Sequence, residues 1–537
     1  MGVVGAAAAL GSGASSTAAA QSNWEGVADQ RIAEHRQGRL VVQVENQNGR
    51  PVPDADVAVE MQGHEFGFGT AINAEFLLNQ TEWGETIHTE EDQQRYREAI
   101  AEQFNTVVLA NYQKWNFWED DPEIADEAVQ WSLDQGLDVR GHVCLWGSVQ
   151  SWAVPPRIVE AMGDPWASDW SESGEPDPDP EYVREESMAH LEEIIAHYGD
   201  DITEWEIVNE VLHATAIIEA LEGSDVTPET SSILGDWYER AEEVAAEHDV
   251  DIATNDYNVL AGEYTREWDR YETQLDYLAN ERDVDIDGVG MQSHHYADER
   301  VDPAAMWDAL DRYAQYADGL RITEFDMFGT GWDGEMQAEY LHRFLKVFFS
   351  HPAAETFVAW GFWDPLHWGD QMDDGTRDAL LYDENWSEKP AYDVWQDLVF
   401  DEWWTDESGP TDDSGAYAVD AFLGEHEVTV ETAAGSTTET VSVTDSDGTT
   451  TVTVTVGEGS DSGDTGDGPD YPEGVTDPDG DGYYEDLNGN GEIDFQDVVR
   501  YSENMGSDEF RDDAEYYDYT GDGEIDVADL VELFEQV

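Results

Sequence analysis

Two glutamates, Glu210 and Glu324, have the setting in this sequence that best suits catalysis. Each stands at or near the end of an apolar run that is typical of a buried strand, residues 202–210 and 320–326. A carboxylic acid that protonates a leaving oxygen, with a carboxylate about 5–5.5 Å away that attacks the anomeric carbon, can hydrolyse a glycosidic bond by double displacement. Burial and neighbouring charge would have to separate the two pKa values. Because the chain holds 124 acidic residues, the elements around the pair must decide the interpretation.

Eight apolar, strand-like runs recur between residues 66 and 400, separated by amphipathic stretches such as Glu90–Phe104 and Met336–Phe349. The runs begin near Phe66, Asn105, Asp138, Ile202, Val250, Asp287, Leu320 and Phe357. Eight alternating units predict an α/β fold, with a closed (β/α)8 barrel over residues 63–402. A doubly wound open sheet is the alternative, but no glycine-rich phosphate loop follows any of the runs.

The carboxyl ends of these runs carry polar and aromatic side chains. They include Asn73, Asn111, His142, Trp146, Asn209, Glu210, Asn255, Asp256, Tyr257, Gln292, His294, Glu324, Trp360 and Asp364. The carboxyl ends of barrel strands form the active-site face. We therefore expect these side chains to line one cleft.

Ordered motifs at the strand ends make the sequence resemble glycoside hydrolase family 10, which is dominated by endo-1,4-β-xylanases. The motifs are Phe68-Gly69-Thr70-Ala71, Asn111 with Lys114-Trp115, Arg140-Gly141-His142 with Trp146, Trp205 to Glu210, Asn255-Asp256-Tyr257-Asn258, Gly290 with Gln292 and His294, Ile322-Thr323-Glu324, Trp360-Gly361 with Asp364 and Trp368, and Lys389-Pro390-Ala391-Tyr392. The resemblance covers residues 66–399. It implies a retaining endo-β-1,4-xylanase that acts on xylan without a catalytic cofactor.

The resemblance also implies residue roles. Glu210 matches the general acid/base, Glu324 the nucleophile, and Asn209 the asparagine that bonds the sugar 2-hydroxyl. Gln292 and His294 match residues that orient the two glutamates and contact substrate. Further substrate-binding positions are Asn111, Lys114, His142, Trp146, Tyr257, Trp360 and Trp368. Aromatic faces stack on sugar rings and polar groups fix the hydroxyls, so these residue types suit the task.

Two positions depart from the family pattern on the sugar-binding side. Ala110 stands where the family usually has glutamate, and Gly147 where it usually has histidine, before a loop one residue shorter. These departures keep open a same-clan hydrolase of β-glucan or mannan. A non-catalytic carbohydrate-binding barrel is a further alternative, which the retained glutamates argue against.

The charge of the chain is extreme, with 23 basic against 124 acidic residues and a formal net charge of −101. Such a surface repels itself unless molar salt shortens the screening length to about 3 Å. We interpret it as a salt-adapted, haloarchaeal-type surface. It disfavours nucleic acid and anionic membranes as partners, but it does not repel a neutral polysaccharide. The single cysteine, Cys144, lies in an apolar run and is expected to be a core residue.

Short segments flank the predicted barrel. Residues 1–23 resemble the apolar and cleavage regions of an export signal without its basic region, which we interpret as the remnant of a twin-arginine type. We therefore expect an extracellular protein with no membrane span. Residues 38–62 and 410–456 alternate apolar and polar residues and resemble the two halves of a transthyretin-like sandwich. The hypothesis is one β-sandwich with the barrel inserted between its halves. An acidic linker follows at 457–476.

Two similar acidic repeats lie in the C-terminal segment, residues 477–537. Their candidate calcium ligands are Asp486, Asn488, Asn490, Asp494 and Asp497, then Asp518, Thr520, Asp522, Asp526 and Asp529. Oxygen ligands at this spacing around a central glycine suit calcium. Aspartate at the last position resembles a dockerin, a small α-helical module, which implies a cohesin-like partner. A calcium-folded cap without a partner is the alternative.

Overall fold

The computed structural model describes residues 23–78, 89–169, 178–260, 267–371, 378–433 and 435–457, and scattered positions from Tyr484 onward. Contacts divide the chain into two units, Met1–Gly459 and Ser460–Val537. The strands are β1 (Gln37–Asn46), β2 (Asp56–His64), β3 (Gly67–Ile72), β4 (Thr106–Leu109), β5 (Asp138–Gly141), β6 (Leu145–Trp146), β7 (Glu204–Asn209), β8 (Asp251–Asp256), β9 (Gly288–Met291), β10 (His294–His295), β11 (Gly319–Met327), β12 (Ala354–Ala359), β13 (Asp406–Pro410), β14 (Ala416–Phe422), β15 (Gly424–Thr432), β16 (Gly435–Val443) and β17 (Thr449–Val456).

Helices alternate with the central strands. The α-helices are Trp24–His35, Ala74–Leu77, Glu90–Gln103, Trp115–Asp120, Pro122–Asp134, Pro156–Met162, Pro180–Tyr198, Ala216–Glu222, Ser232–Ala245, Trp268–Asp276, Pro303–Tyr313, Gly334–Phe349, Pro390–Trp395, Ala514–Tyr517 and Val527–Phe534. Many begin at a residue whose side chain accepts a backbone N–H, as Asp333 does from Met336 N at 2.9 Å.

Eight parallel strand positions close into the predicted barrel. Strands β3, β4, β5, β7, β8, β9, β11 and β12 pair in that order, and β12 pairs with β3 to close the ring. Strands β6 and β10 pair with β7 and β11 beyond the ends of β5 and β9. Every residue of β3, β7 and β11 is buried, because side chains face either the barrel interior or the surrounding helices. This confirms the (β/α)8 fold.

The two β-rich flanking segments pair with each other. Strand β1 lies between β14 and β17, and strand β2 lies between β13 and β15, with β16 at the far edge. The two sheets share a core of small aliphatic side chains, mostly valine. Strand β13 begins at Asp406, four residues before the position that the sequence indicated for the second half. The chain thus leaves the sandwich after β2, forms the barrel and returns.

A helix that the sequence did not predict, Trp24–His35, precedes the sandwich. The residue after this helix is Arg36, whose buried guanidinium donates to the carbonyls of Phe349, His351 and Ala354 at 2.5–2.7 Å. Burial lowers the pKa of Arg36 to about 10. Arg36 therefore ties the entrance of the sandwich to the amino-terminal end of the barrel.

The C-terminal unit is small and rich in tyrosine. Tyr484, Leu487, Tyr501, Tyr517 and Leu533 are among its core residues. The hydroxyl of Tyr501 donates to the carbonyl of Tyr517 at 2.7 Å, which links the first repeat to the second. Within the described part of the chain, no helix is long and apolar enough to cross a membrane.

Candidate active site

Glu210 follows β7 at the carboxyl-terminal end of the barrel. Its backbone adopts φ 58°, a left-handed conformation that costs energy for a residue other than glycine. Three hydrogen bonds hold it there: Glu210 N donates to Asn255 O at 2.9 Å, and its carbonyl accepts from His213 N at 3.0 Å and Ala214 N at 2.7 Å. The turn therefore directs the side chain into the cleft.

The Glu210 carboxyl group accepts two hydrogen bonds. Trp146 Nε1 donates to Oε2 at 2.8 Å, and Gln292 Nε2 donates to Oε1 at 3.0 Å. Burial, with a smaller contribution from the charges of Asp256 and Glu324, outweighs these bonds and raises the pKa of Glu210 to about 7. A carboxyl group with this pKa can release and recover a proton near neutral pH.

Glu324 lies in β11 and is 5% exposed. Asn255 Nδ2 donates to its Oε1 at 2.9 Å, and His294 Nε2 lies 3.4 Å from its Oε2. Burial alone would raise the pKa of Glu324, but the hydrogen bond from His294 and the electrostatic effects of His142, His294 and Lys114 lower it on balance. Glu324 is therefore held as a carboxylate, the form that can attack an electrophilic carbon.

The positive charge beside Glu324 depends on a second buried carboxylate. Asp326 Oδ1 lies 2.8 Å from His294 Nδ1 and is 3% exposed. Burial opposes a charged imidazole, yet the Asp326 charge, with hydrogen bonds to both carboxylates, raises the pKa of His294 to about 10. Trp368 Nε1 donates to Asp326 Oδ2 at 2.6 Å, so the same carboxylate also fixes an aromatic wall of the cleft.

Lys114 is a second cation in the cleft and is 7% exposed. Its Nζ donates to Asn111 Oδ1 at 2.9 Å and lies 4.9 Å from the ring centre of Trp146. Burial lowers the pKa of Lys114 to about 8, although the charges of Glu324 and Glu210 oppose that shift. An ammonium group beside an aromatic face suits the binding of sugar hydroxyls.

A buried network behind Glu324 joins three strands. His142 Nδ1 lies 2.7 Å from Glu206 Oε2, Asn255 Nδ2 donates to the same oxygen at 3.1 Å, and Arg140 Nη1 donates to Glu206 Oε1 at 3.3 Å. One side-chain atom from each of His142, Glu206 and Glu324 that could ligate a metal lies within 4.8 Å of the other two. Since these groups already bond each other or Asn255, the arrangement is explained without a metal ion.

The remaining predicted sugar-binding residues join the same cluster. Asn209 Oδ1 accepts from Gln292 Nε2 at 3.1 Å, and the ring of Trp360 lies 5.2 Å from that of His142 in an edge-to-face contact. Tyr257 stacks on His213 with 3.7 Å between ring centres. The structure thus brings the twelve predicted catalytic and substrate-binding residues into one connected site.

Comparison with known proteins identifies the family of the barrel and of the C-terminal unit. Residues 62–398 match the family model for Glycosyl hydrolase family 10. The chain belongs to glycosyl hydrolase family 10. Residues 484–537 match the Dockerin type I domain.

Curated relatives of this family 10 chain are identical to it at about a quarter of the aligned residues. Endo-1,4-beta-xylanase B of Thermotoga neapolitana is 24% identical over 57% of this chain and 84% of its own length. Endo-1,4-beta-xylanase A of Halalkalibacterium halodurans is 25% identical over 61% and 86%. Anti-sigma-I factor RsgI6 of Acetivibrio thermocellus is 26% identical over 76% of this chain, which spans only 46% of that protein.

Solved structures show the same barrel. Native xylanase 10B from Thermotoga maritima aligns with a TM-score of 0.51 and 20% identity, covering 63% of this chain and 96% of that one. A GH10 structure from Paenibacillus barcinonensis gives a TM-score of 0.51, 21% identity and the same two coverages. At these identities the likeness establishes the fold.

The sequence placed Asn255 and Asp256 among the strand-end residues of the cleft but predicted no role for either, and both lie at the end of β8. Glu206 and Asp326 of this family 10 site were absent from the predicted set. Asp326 lies two residues after Glu324 and therefore shares its face of β11. Only pairing across strands shows that Asn255 bridges Glu206 and Glu324.

Both departures from the family pattern have a structural setting. A Cβ atom on Gly147 would lie 2.1 Å from the carbonyl oxygen of Ala214, so the turn after Glu210 leaves no space for a side chain there. Ala110 packs with Trp360 in a small apolar cluster. The cleft surface is therefore more apolar at Ala110 than a glutamate would make it.

The calcium candidates are partly within the described residues. Asp486, Asn488, Asn490, Asp494, Asp518, Asp522 and Asp526 lie outside them. Asp497 and Asp529, the last position of each repeat, are both 0% exposed. Asp529 Oδ1 accepts from Thr520 N and Thr520 Oγ1, each at 3.0 Å, so the two ends of the second repeat meet. Buried carboxylates in loops rich in oxygen ligands fit a calcium ion.

Proposed function

We propose that this chain is a retaining endo-β-1,4-xylanase that cleaves internal bonds of xylan by double displacement. The observation that carries the proposal is the pair of glutamates, Glu210 directly after β7 and Glu324 within β11, whose pKa values are shifted in opposite directions. This is the division that an acid and a nucleophile require. The printed names of two relatives, both endo-1,4-beta-xylanases, support the choice of substrate.

In the first step, a carboxylate oxygen of Glu324 attacks the anomeric carbon and forms a glycosyl ester. The glycosidic C–O bond breaks, and protonated Glu210 gives its proton to the leaving oxygen. In the second step, the Glu210 carboxylate takes a proton from water. That water attacks the anomeric carbon and frees Glu324, so one water molecule is consumed and the anomeric configuration is retained.

The surrounding residues serve these two steps. His294, Lys114 and His142 favour the anionic form of Glu324, and the bond from Asn255 fixes its orientation. Gln292 orients Glu210 and also bonds Asn209, the residue proposed to contact the sugar 2-hydroxyl. Further sugar contacts are proposed for Asn111, Trp146, Tyr257, Trp360 and Trp368.

Release of reducing sugar from purified β-1,4-xylan in molar salt tests the proposal. The parent chain and the matched surface variant Glu247→Gln should release sugar equally, because Glu247 is exposed. Glu324→Ala should lose activity by at least about 10⁴-fold, as removal of a catalytic nucleophile typically does. A folded parent chain that releases nothing from xylan would overturn the proposal.

The acid and the nucleophile can be told apart with a second substrate. An aryl xylobioside whose leaving group needs no protonation should still form the glycosyl ester in Glu210→Ala, giving a burst of phenol followed by slow turnover. Glu324→Ala should give no burst. Proton NMR of the first product should show the β anomer, and an α product would contradict the double displacement.

A second candidate substrate is another β-linked polysaccharide. The observations that favour it are Ala110 and Gly147, which change the cleft on its sugar-binding side. Parallel assays on β-glucan and β-mannan decide between the candidates. Binding to xylan without sugar release from any of the three polymers would identify a carbohydrate-binding barrel instead.

We also propose that the C-terminal unit binds calcium and a cohesin-like protein. The match to the Dockerin type I domain supports this, as do the two buried aspartates at the last repeat positions. Isothermal calorimetry of the full chain with CaCl₂ measures the ion, and pull-down with purified cohesins in calcium or chelator tests the partner. If calcium binds but no cohesin is captured, the partner proposal fails and the C-terminal unit is a calcium-folded cap.

Finally, we propose an extracellular, salt-adapted protein, since its proposed substrate is a polymer and its net charge is −101. Self-repulsion of that charge falls as salt rises. Thermal unfolding of the parent in 0.2 M and 3 M KCl should show a clearly higher Tm in the higher salt. Activity recovered only from cells and not from the culture medium would contradict the extracellular placement.

A further inference from the structure

One buried carboxylate organises the turn that follows Glu210. Asp256 ends β8, is 0% exposed, and accepts hydrogen bonds from Leu212 N at 2.8 Å and Tyr257 N at 2.9 Å. Its Oδ1 also lies 2.6 Å from Nδ1 of His213. Since an ionised carboxylate only accepts, Nδ1 of His213 carries the proton of that short bond.

The His213 ring is held from a second direction. It stacks on Tyr257 with 3.7 Å between ring centres and 20° between planes, and its side chain is 19% exposed. The backbone N–H of His213 donates to the Glu210 carbonyl at 3.0 Å. His213 therefore touches the acid/base residue through the main chain and Asp256 through its side chain.

The charges around this turn come from three directions. Asp256 and Glu324 face Glu210 with negative charge, and Lys114 lies across the cleft with positive charge. On the outer side, Arg270 Nη1 lies 3.4 Å from Leu212 O, and that guanidinium already pairs with Glu229 and Glu267. Among the described residues, His213 is thus the donor side chain bonded directly to Asp256.

Building on the proposed function, we propose that His213 is a positioning residue for Glu210. Its Nδ1–H bond to Asp256 partly cancels the carboxylate charge beside the acid/base and locks the turn that carries Glu210. Without that bond, Glu210 would face the full charge of Asp256. The proton of Glu210 would then be released at a higher pH.

The pH dependence of kcat/KM on a xylo-oligosaccharide, measured with the full chain, tests this proposal. In His213→Ala the alkaline limb should move up by about 0.5–1 pH unit, the size expected when a carboxylate loses its partner. His213→Asn keeps an N–H donor on a shorter side chain that cannot stack on Tyr257 as the imidazole does, and its limb should lie between the two. The matched control His197→Ala removes an exposed imidazole paired with Asp126 at 2.8 Å and should leave the profile unchanged.

A double-mutant cycle identifies the route of the effect. In an Asp256→Asn background the carboxylate is absent, so adding His213→Ala should no longer move the alkaline limb. An equal shift in that background would overturn the role of Asp256. Limbs of His213→Ala and parent that coincide, with circular dichroism showing both chains folded, would overturn the proposal itself.

A second measurement does not depend on activity. Carbon-13 NMR titration of the Glu210 carboxyl group in the parent and in His213→Ala should show the pKa of Glu210 rise by the same shift of about 0.5–1 pH unit as the alkaline limb. An unchanged Glu210 titration would refute the proposal, whereas an inactive parent whose Glu210 titration moves on His213→Ala would refute only the proposed function.

Discussion

Replacement of Asp326 by asparagine tests how the cleft keeps its nucleophile ionised. Asp326 pairs with His294 at 2.8 Å, and His294 in turn faces Glu324 at 3.4 Å. The variant Asp326→Asn keeps nearly the same shape and removes one charge. His294 should then become neutral near pH 7, and Glu324 should lose its main positive neighbour.

The magnitude follows from the pKa of His294. Its rise from 6.5 to about 10 is about 3.5 units, or roughly 5 kcal/mol in favour of the imidazolium. That preference is shared among Asp326, Glu324 and opposing burial, so only part of it reaches Glu324. We expect the pKa of Glu324 to rise by about 1–2 units in the variant.

The acid limb of the pH profile of kcat/KM reports this change, because it follows the ionised fraction of the nucleophile. It should move upward by the same 1–2 units in Asp326→Asn. The control Asp311→Asn breaks another aspartate–histidine pair, Asp311 with His351 at 3.1 Å, near the start of β12 at the opposite end of the barrel. The control should keep the parent profile.

Stability gives the same prediction with a defined sign. The pKa of His294 is raised on folding. The stability that its protonation adds to the folded state is therefore present in full below pH 6.5 and is lost as the pH rises toward about 10. The Tm difference between parent and Asp326→Asn should therefore be large at pH 6 and small at pH 10. An unmoved acid limb in a folded variant would refute the view that Asp326 keeps Glu324 ionised.

Three further predictions concern other parts of the chain. Gly147→Ala should lower the free energy of unfolding by about 1–3 kcal/mol, because its Cβ would lie 2.1 Å from Ala214 O. Urea unfolding measures the loss. The control Gly136→Ala, at a site with φ +74° and open space around it, separates the steric clash from backbone strain. Calcium chelation should unfold the C-terminal unit of the full chain while the barrel continues to hydrolyse xylan. Circular dichroism should then show a loss of helical signal, and sugar release should be unchanged. Lys114→Met should raise KM more than it lowers kcat, because Lys114 is proposed to bind sugar throughout the reaction, and the reverse pattern in steady-state assays would place it in the transition state instead.

The barrel could be predicted because its strands and helices have strong periodic patterns. The run that begins near Ile202 became β7, Glu204–Asn209, and the stretch Met336–Phe349 became the helix Gly334–Phe349. Polar residues at strand ends then identified the cleft. Local pattern was enough here, because each barrel strand is a short apolar run whose carboxyl end lies on the active-site face.

Other elements lack such a pattern. The helix Trp24–His35 buries only Ala28 and Ile32, so its apolar face is too narrow to be recognised. Strand β13 has the sequence DESGP with mostly exposed residues, and pairing with β2 alone defines it. The contacts of Asn255 also depend on neighbours far apart in sequence, which periodicity does not describe.

The site separates the pKa values of its two glutamates by the sign of their charged neighbours. Glu210 has Asp256 beside it, which adds to the effect of burial, whereas Glu324 has His294, His142 and Lys114, which reverse that effect. Lysine and arginine are scarce in this chain, 23 residues against 124 acidic ones, yet Lys114 lies near Glu324 together with two histidines. Surface charge cannot replace them, because molar salt screens it within about 3 Å while buried pairs are screened much less. The acid/base division should therefore persist from low to high salt even though the stability of the fold changes.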